Sequence, residues 1–246
     1  MRGGLDKAGA CMLYSVGVIL QRERMPDTGA IQAWFDANHF PCSIDDASFA
    51  APSTVISGSV LGQRVFADLT VDACEDGKGR FDLVFDEYFQ DGDCVISLLA
   101  TASLTQRSFA FLIATSIALL SGGKLVGDDQ PEPEDPCYFI GLCREFIVRA
   151  RLLIAMLYRQ GEWKFVRLDA ESIALMDGES KTDRKNAIAT LLCDRHILPD
   201  PQIVPGVDQA AHKLSDSGLE IASSMCWHDV SERSRKHREL IAGKDC

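Results

Sequence analysis

One uncharged run, Ser108 to Gly123, constrains this chain more than any other stretch. It is 16 residues long and is closed by Arg107 and Lys124. A membrane-spanning helix needs about 20 apolar residues. A helix that is apolar nearly all round without spanning is a core helix. Gly122-Gly123 stop it, because glycine enters the left-handed conformation without a Cβ clash. Lys124-Leu125-Val126 then reads as a short strand. The rest of the fold must pack around this helix.

Upstream, Cys11 to Leu20 is rich in Val, Ile, Leu and Tyr and predicts a first strand. Asp27 or Thr28 caps a helix running to about Asn38, with Ile31, Trp34 and Phe35 on one face. Asn38-His39-Phe40-Pro41 ends it, since proline disfavours helix in the residue before it. Four strands follow: Thr54 to Leu61, Arg64 to Val71, Phe81 to Phe89 and Cys94 to Ala102. Gly62-Gln63 is the expected hairpin turn. In the second of these strands Val65, Ala67, Leu69 and Val71 alternate with Phe66, Asp68, Thr70 and Asp72, the pattern of a strand with one wet face.

The order strand, helix, four strands, helix, strand predicts an α+β fold. An antiparallel sheet with two helices on one face, a variant of the ferredoxin-like plan, satisfies it. Gly127 to Pro136 holds three prolines and five acids in ten residues, which can continue neither a helix nor a central strand. This divides the chain into an acidic α+β domain at residues 11–127, a linker at 128–136 and a mainly helical part at 137–246. In the last part, Phe139 to Arg159 predicts a helix with Phe146, Leu152, Leu153, Met156 and Leu157 inside and Arg149, Arg151 and Arg159 outside. Trp163 to Leu168 reads as a strand with Trp163, Phe165 and Val166 as core residues. Asp183 to Cys193 and Val207 to Met225 read as helices. Ser231 to Ala242 reads as a polar helix or tail.

Charge separates the parts. Residues 27–136 carry 18 acidic against 5 basic side chains, a net of −13, whereas residues 137–246 carry 16 of each. The acidic part is a poor match for nucleic acid, which requires clustered Lys and Arg, and a natural match for a basic protein partner. Met1 to Ala10 lacks the apolar run of a secretory signal, and no segment is long enough to cross a membrane, so a cytoplasmic protein is expected. The nine cysteines are odd in number and irregularly spaced. They read as small core hydrophobes rather than as a disulfide framework.

No catalytic or nucleotide-binding motif is present, and no cofactor or metal is called for. Three constellations remain. Cys193-Asp194-Arg195-His196, His212, Cys226-Trp227-His228 and His237 offer zinc-type ligands at spacings that match no finger or ribbon. Acids at Asp45-Asp46, Asp82, Asp86-Glu87, Asp91, Asp93 and Asp128-Asp129 read as solvated strand faces and turns. Aromatic residues interleave with these acids. That makes Asp82, Asp86, Glu87, Tyr88, Asp91 and Asp93 the candidate partner-binding face, with an exposed ring as anchor in a charged rim. The rival expectation is a metal-dependent hydrolase-type enzyme in which some of Asp82, Asp86, Glu87, Asp128, Asp129, His196 and His228 converge in one pocket. A third is a regulatory subunit that oligomerises through the helical part.

The apolar helix ending in Ser121-Gly122-Gly123 and followed by Lys124-Leu125-Val126-Gly127-Asp128-Asp129-Gln130 resembles small bacterial α+β proteins, several of them immunity-type proteins of interbacterial toxin systems. The resemblance covers roughly residues 12–130. It implies a non-enzymatic protein that binds and blocks a toxin, acidic where the toxin is a basic nuclease. It carries over no functional residue.

Overall fold

The computed structural model describes residues 14–45, 49, 51–73, 88–90, 92–100, 103–127, 132–159, 165–169, 172–200 and 211–225. Its elements are β1 (Tyr14–Gln21), α1 (Thr28–Ala37), β2 (Cys42–Ile44), β3 (Ser53–Val60), β4 (Gln63–Ala73), β5 (Asp93–Ala100), α2 (Leu104–Ser121), β6 (Lys124–Gly127), α3 (Pro136–Arg159), β7 (Val166–Arg167), α4 (Lys181–Cys193), β8 (Ile197–Pro199), β9 (Ala211–Leu214) and α5 (Asp216–Met225). The fold is mixed α+β. Six strands form an antiparallel sheet in the order β2-β3-β4-β5-β1-β6. Because β5 and β6 both run antiparallel to β1, they run parallel to each other, and α2 joins them across one face.

The uncharged run is that joining helix. Phe109, Leu112, Ile113 and Ile117 on α2 are fully buried. They pack on Val16, Val18, Ile56, Leu69, Ile96 and Leu98 from the sheet and on Ile31 and Phe35 from α1. Both helices therefore share one face of the sheet. The hydroxyls inside α2 are satisfied within the helix: Ser108 donates to the Leu104 carbonyl and Thr115 to that of Phe111, each at 2.7 Å. Buried polar groups are tolerated on those terms. Gly122 ends the helix at φ +69°, as its sequence position predicts. By length and composition α2 is the one helix among the described residues that could cross a membrane, and 78% of it is buried inside the fold.

On its other side α2 meets α3, through Phe111 against Phe139 and Phe146. Pro136 supplies the first residue of α3, where its missing N–H costs nothing. Just before it, Glu134 donates its backbone N–H to the Leu125 carbonyl at 2.8 Å, so part of the expected linker lies along β6. Beyond α3 come α4, α5 and a small antiparallel sheet in the order β7-β9-β8. Apolar residues from both parts of the chain, from Val16 to Met225, belong to one contiguous cluster.

Several expectations change on contact with the structure. Of the helix expected at 207–225, residues 207–210 lie outside the described residues, and the rest is a strand, β9, followed by the shorter helix α5. His212 and Leu214 alternate inward between β7 and β8, and Ser215 caps α5 by accepting from the Gly218 N–H at 3.1 Å. The hairpin turn sits one residue early, at Leu61-Gly62, with φ +53° and +67°. Val60 pairs with Gln63 across it, and the Pro41 carbonyl fixes the Leu61 N–H at 2.9 Å. In the sheet β4 pairs directly with β5. Of the strand expected at Phe81 to Phe89, residues 81–87 lie outside the described residues, and Tyr88 and Phe89 are not in a strand. Arg149 and Arg151 are buried rather than outward-facing. Trp163 and the segment 231–242 lie outside the described residues. Among the described cysteines, Cys42, Cys94 and Cys143 are buried and Cys137 and Cys193 exposed, all five as free thiols.

Candidate functional site

The strand pair β3–β4 builds the surface with the strongest features of a binding site. Alternation along β4 buries Val65, Ala67, Leu69 and Val71 and turns Arg64, Phe66 and Asp68 outward. On β3 the same parity turns Val55 and Ser57 outward. The register sets Val55 opposite Asp68 and Ser57 opposite Phe66, so the two apolar side chains are diagonal neighbours on one face. Phe66 is 45% and Val55 57% exposed. A large ring on the wet side of a regular strand is the informative exception to burial.

The rim around this pair is charged and ordered. Arg64 reaches Asp45 at 2.7 Å and donates to the Ser57 hydroxyl at 3.2 Å. Ser57 in turn donates to Asp45 at 2.5 Å. The Arg64 guanidinium lies 5.6 Å from the Phe66 ring centroid. Ser43 and Ser59 bond to each other at 2.7 Å. Asp68 is exposed and has no ion-pair partner among the described residues. The rest of this face is different: Ile19, Val95 and Val126 are buried there, under Tyr88 and Phe89. The open part of the outer face is therefore the β3–β4 end.

Of the residues proposed from sequence as a partner-binding face, Asp82, Asp86, Glu87 and Asp91 lie outside the described residues. Tyr88 and Asp93 come together at a cavity of about 210 Å³, with Arg24, Lys124 and the Ser121-Gly122-Gly123 end of α2 on its wall. Neither is a free anchor. Lys124 donates to the Tyr88 carbonyl at 3.0 Å, and its ammonium lies 5.3 Å from the Tyr88 ring centroid. Asp93 accepts the Gln90 N–H at 2.8 Å, which holds the turn before β5.

The histidine and acid constellation is equally committed to structure. His196 sits at the end of α4. Its Nδ1 is 3.3 Å from the Ser217 hydroxyl and its Nε2 4.0 Å from Asp194, a distance too long for a hydrogen bond. Asp194 instead accepts from Arg149 at 2.7 Å. Burial lowers the His196 pKa, and Arg149 lowers it further against the opposing pull of Asp194. A histidine whose folded pKa is depressed contributes stability that is present above its unfolded value, about 6.5, and is lost as pH falls through the folded value. The unfolding free energy is expected to fall below about pH 6.5, and His196→Asn should flatten that slope. Equal slopes in urea titrations of both proteins between pH 4 and pH 8 would refute the assignment. No three His, Cys, Asp or Glu side chains among the described residues are placed to hold a metal. Asp128, Asp129, His228 and His237 lie outside the described residues.

Sequence reasoning had the signal for Phe66, which falls on the same parity as Asp68 and Asp72. It had none for Val55, whose exposure depends on where the sheet is left uncovered. Compared with known families, curated proteins and solved structures, the chain matches no family model, no curated protein and no solved structure.

Proposed function

We propose that this chain is a non-enzymatic protein-binding module that docks a basic protein partner on the outer face of β3–β4. The observation that carries the reading is the exposed pair Val55 and Phe66 inside the Asp45–Arg64–Asp68 rim. An apolar centre with a polar rim is the anatomy of protein interfaces, and an aromatic anchor often dominates their energy. The surplus of acid in residues 27–136 steers a basic surface toward that face and sets specificity. An immunity-type role, in the cytoplasm of a bacterium against a basic toxin, is the form of this function that the resemblance of residues 12–130 favours.

The whole chain, immobilised, is the bait for lysate at low salt, with elution at high salt, beside an equal bait carrying Phe66→Ala and Asp68→Lys. A basic protein held by the wild type, released by salt and lost from the double variant is the expected result. Retention that is equal on both baits, or that ignores salt, would count against the proposed face.

A further inference from the structure

Arg107 lies in the first turn of the core helix, yet it is half-buried and pairs with no carboxylate among the described residues. Its guanidinium carbon lies 3.8 Å from the ring centroid of Tyr14, 4.6 Å from that of Phe146 and 5.4 Å from that of Phe111. Those rings come from β1, α3 and α2, so three elements converge on one cation. Its Nε is buried without a hydrogen-bond partner. Its two Nη groups make no hydrogen bond to a described residue, and the residue as a whole is half-buried. Burial lowers its pKa, and the groups acting on it most are Tyr14, Arg149, Cys143 and Tyr138, with no carboxylate among them. The second cation nearby is already matched, since Arg149 bonds Asp194 at 2.7 Å and lies 3.8 Å from Glu145. One arginine thus stands among three aromatic rings with no acceptor among the described residues for its donor edge, the edge that takes a carboxylate bidentately.

We propose that Arg107 anchors a site for a monocarboxylate carried on an apolar or aromatic body. A single unmatched positive charge suits a monoanion better than a phosphate dianion. Tyr138 is 61% exposed and edge-on to Phe139 at 5.8 Å, and Phe139 in turn meets Phe111 at 5.3 Å, so its ring is available for the ligand's body to stack on. The proposal uses none of the residues of the β3–β4 face and stands independently of the partner proposed there.

Benzoate and inorganic phosphate are the probes, titrated into the full chain by calorimetry at constant ionic strength. Saturable benzoate binding is expected, weakened roughly tenfold or more in Arg107→Lys, which keeps the charge and loses the fork. Tyr138→Ala, a surface change, should weaken benzoate about threefold, the scale of one aromatic contact. A readout that needs no change at Arg107 guards against misfolding of that variant: in arginine-labelled wild-type protein, benzoate should shift the Arg107 Nε–H resonance and leave that of the exposed Arg24 unmoved. No saturable benzoate binding, binding of phosphate alone, benzoate affinity unchanged in Arg107→Lys, or an unmoved Arg107 resonance would each overturn the proposal and leave Arg107 as a cation–π strut between β1 and α3.

Discussion

Glu179→Gln is expected to lower stability by about 3–5 kcal/mol, the range for removing one partner of a buried ion network. The side chain of Glu179 is 1% exposed and lies between two buried guanidinium groups. Its Oε1 accepts from Arg184 Nε at 2.5 Å, and its Oε2 accepts from Arg151 at 3.3 Å and from the Met176 N–H at 2.9 Å. Three further donors of Arg184 go to the carbonyls of Leu168, Ile173 and Ala174 at 3.0–3.2 Å, and Arg151 also reaches the Ala174 carbonyl at 2.6 Å. The knot ties α3 to α4 through the segment around Ala174. Glutamine keeps the volume but removes the charge that both buried cations face, and one of its donors faces an arginine. The urea midpoint should drop with little change in m, since the surface exposed on unfolding stays the same. Asp177→Asn is the control: it removes an ion pair to His39 whose side chains are 84% and 56% exposed. A surface change of that kind is expected to stay within about 0.5 kcal/mol. A Glu179→Gln midpoint no lower than that of the control would show that the network contributes nothing beyond its packing.

That network also shows where local pattern stops informing. Arg151 falls on the outward side of the α3 period and Arg149 on the same face as Phe146, Leu153 and Met156, yet an arginine by itself reads as solvated at either position. Their partners, Asp194 and Glu179, lie 45 and 28 residues further on, beyond any local window. The core helix was legible because its period, its charge-free span and its glycine stop agree. The β4 alternation was legible because strand parity is strict. The segment 207–225 was misread because a few apolar residues fit a helix as readily as a strand followed by a helix, and only the pairing of β9 between β7 and β8 decides. Of the sites, Phe66 could be picked out by its parity. Arg107 could not, since its aromatic partners Tyr14 and Phe146 stand on two other elements. Tyr88 would be an anchor only if exposed, and it is half-buried over Ile19, Val95 and Val126, on the face of the sheet that α2 does not cover.

The second large effect is expected at Gly58, where even alanine should cost about 3 kcal/mol, the upper end for overpacking a well-filled core, and valine more. A glycine inside a strand weakens it unless another backbone must come close, and here one does. Position 58 shares the inward parity of Ile56 and Val60, so its side chain would point at the core. A Cβ built there stands 2.0 Å from the Ser43 carbonyl oxygen and 2.8 Å from the Phe109 ring. The ring has no room to retreat, since Phe109 is fully buried. Strand β2 has little either. Gln32 accepts from the Ile44 N–H at 3.0 Å and donates to the Cys42 carbonyl at 3.2 Å, which fastens β2 to α1. Moving Ser43 away would break one or both. The two contacts can be separated by a double-mutant cycle with Phe109→Leu, which clears the ring but leaves the carbonyl. If the backbone contact dominates, the two losses add to within about 0.5 kcal/mol, as for independent sites. A double variant markedly more stable than that sum would instead assign the glycine to the Phe109 ring, and the close approach of β2 would be incidental.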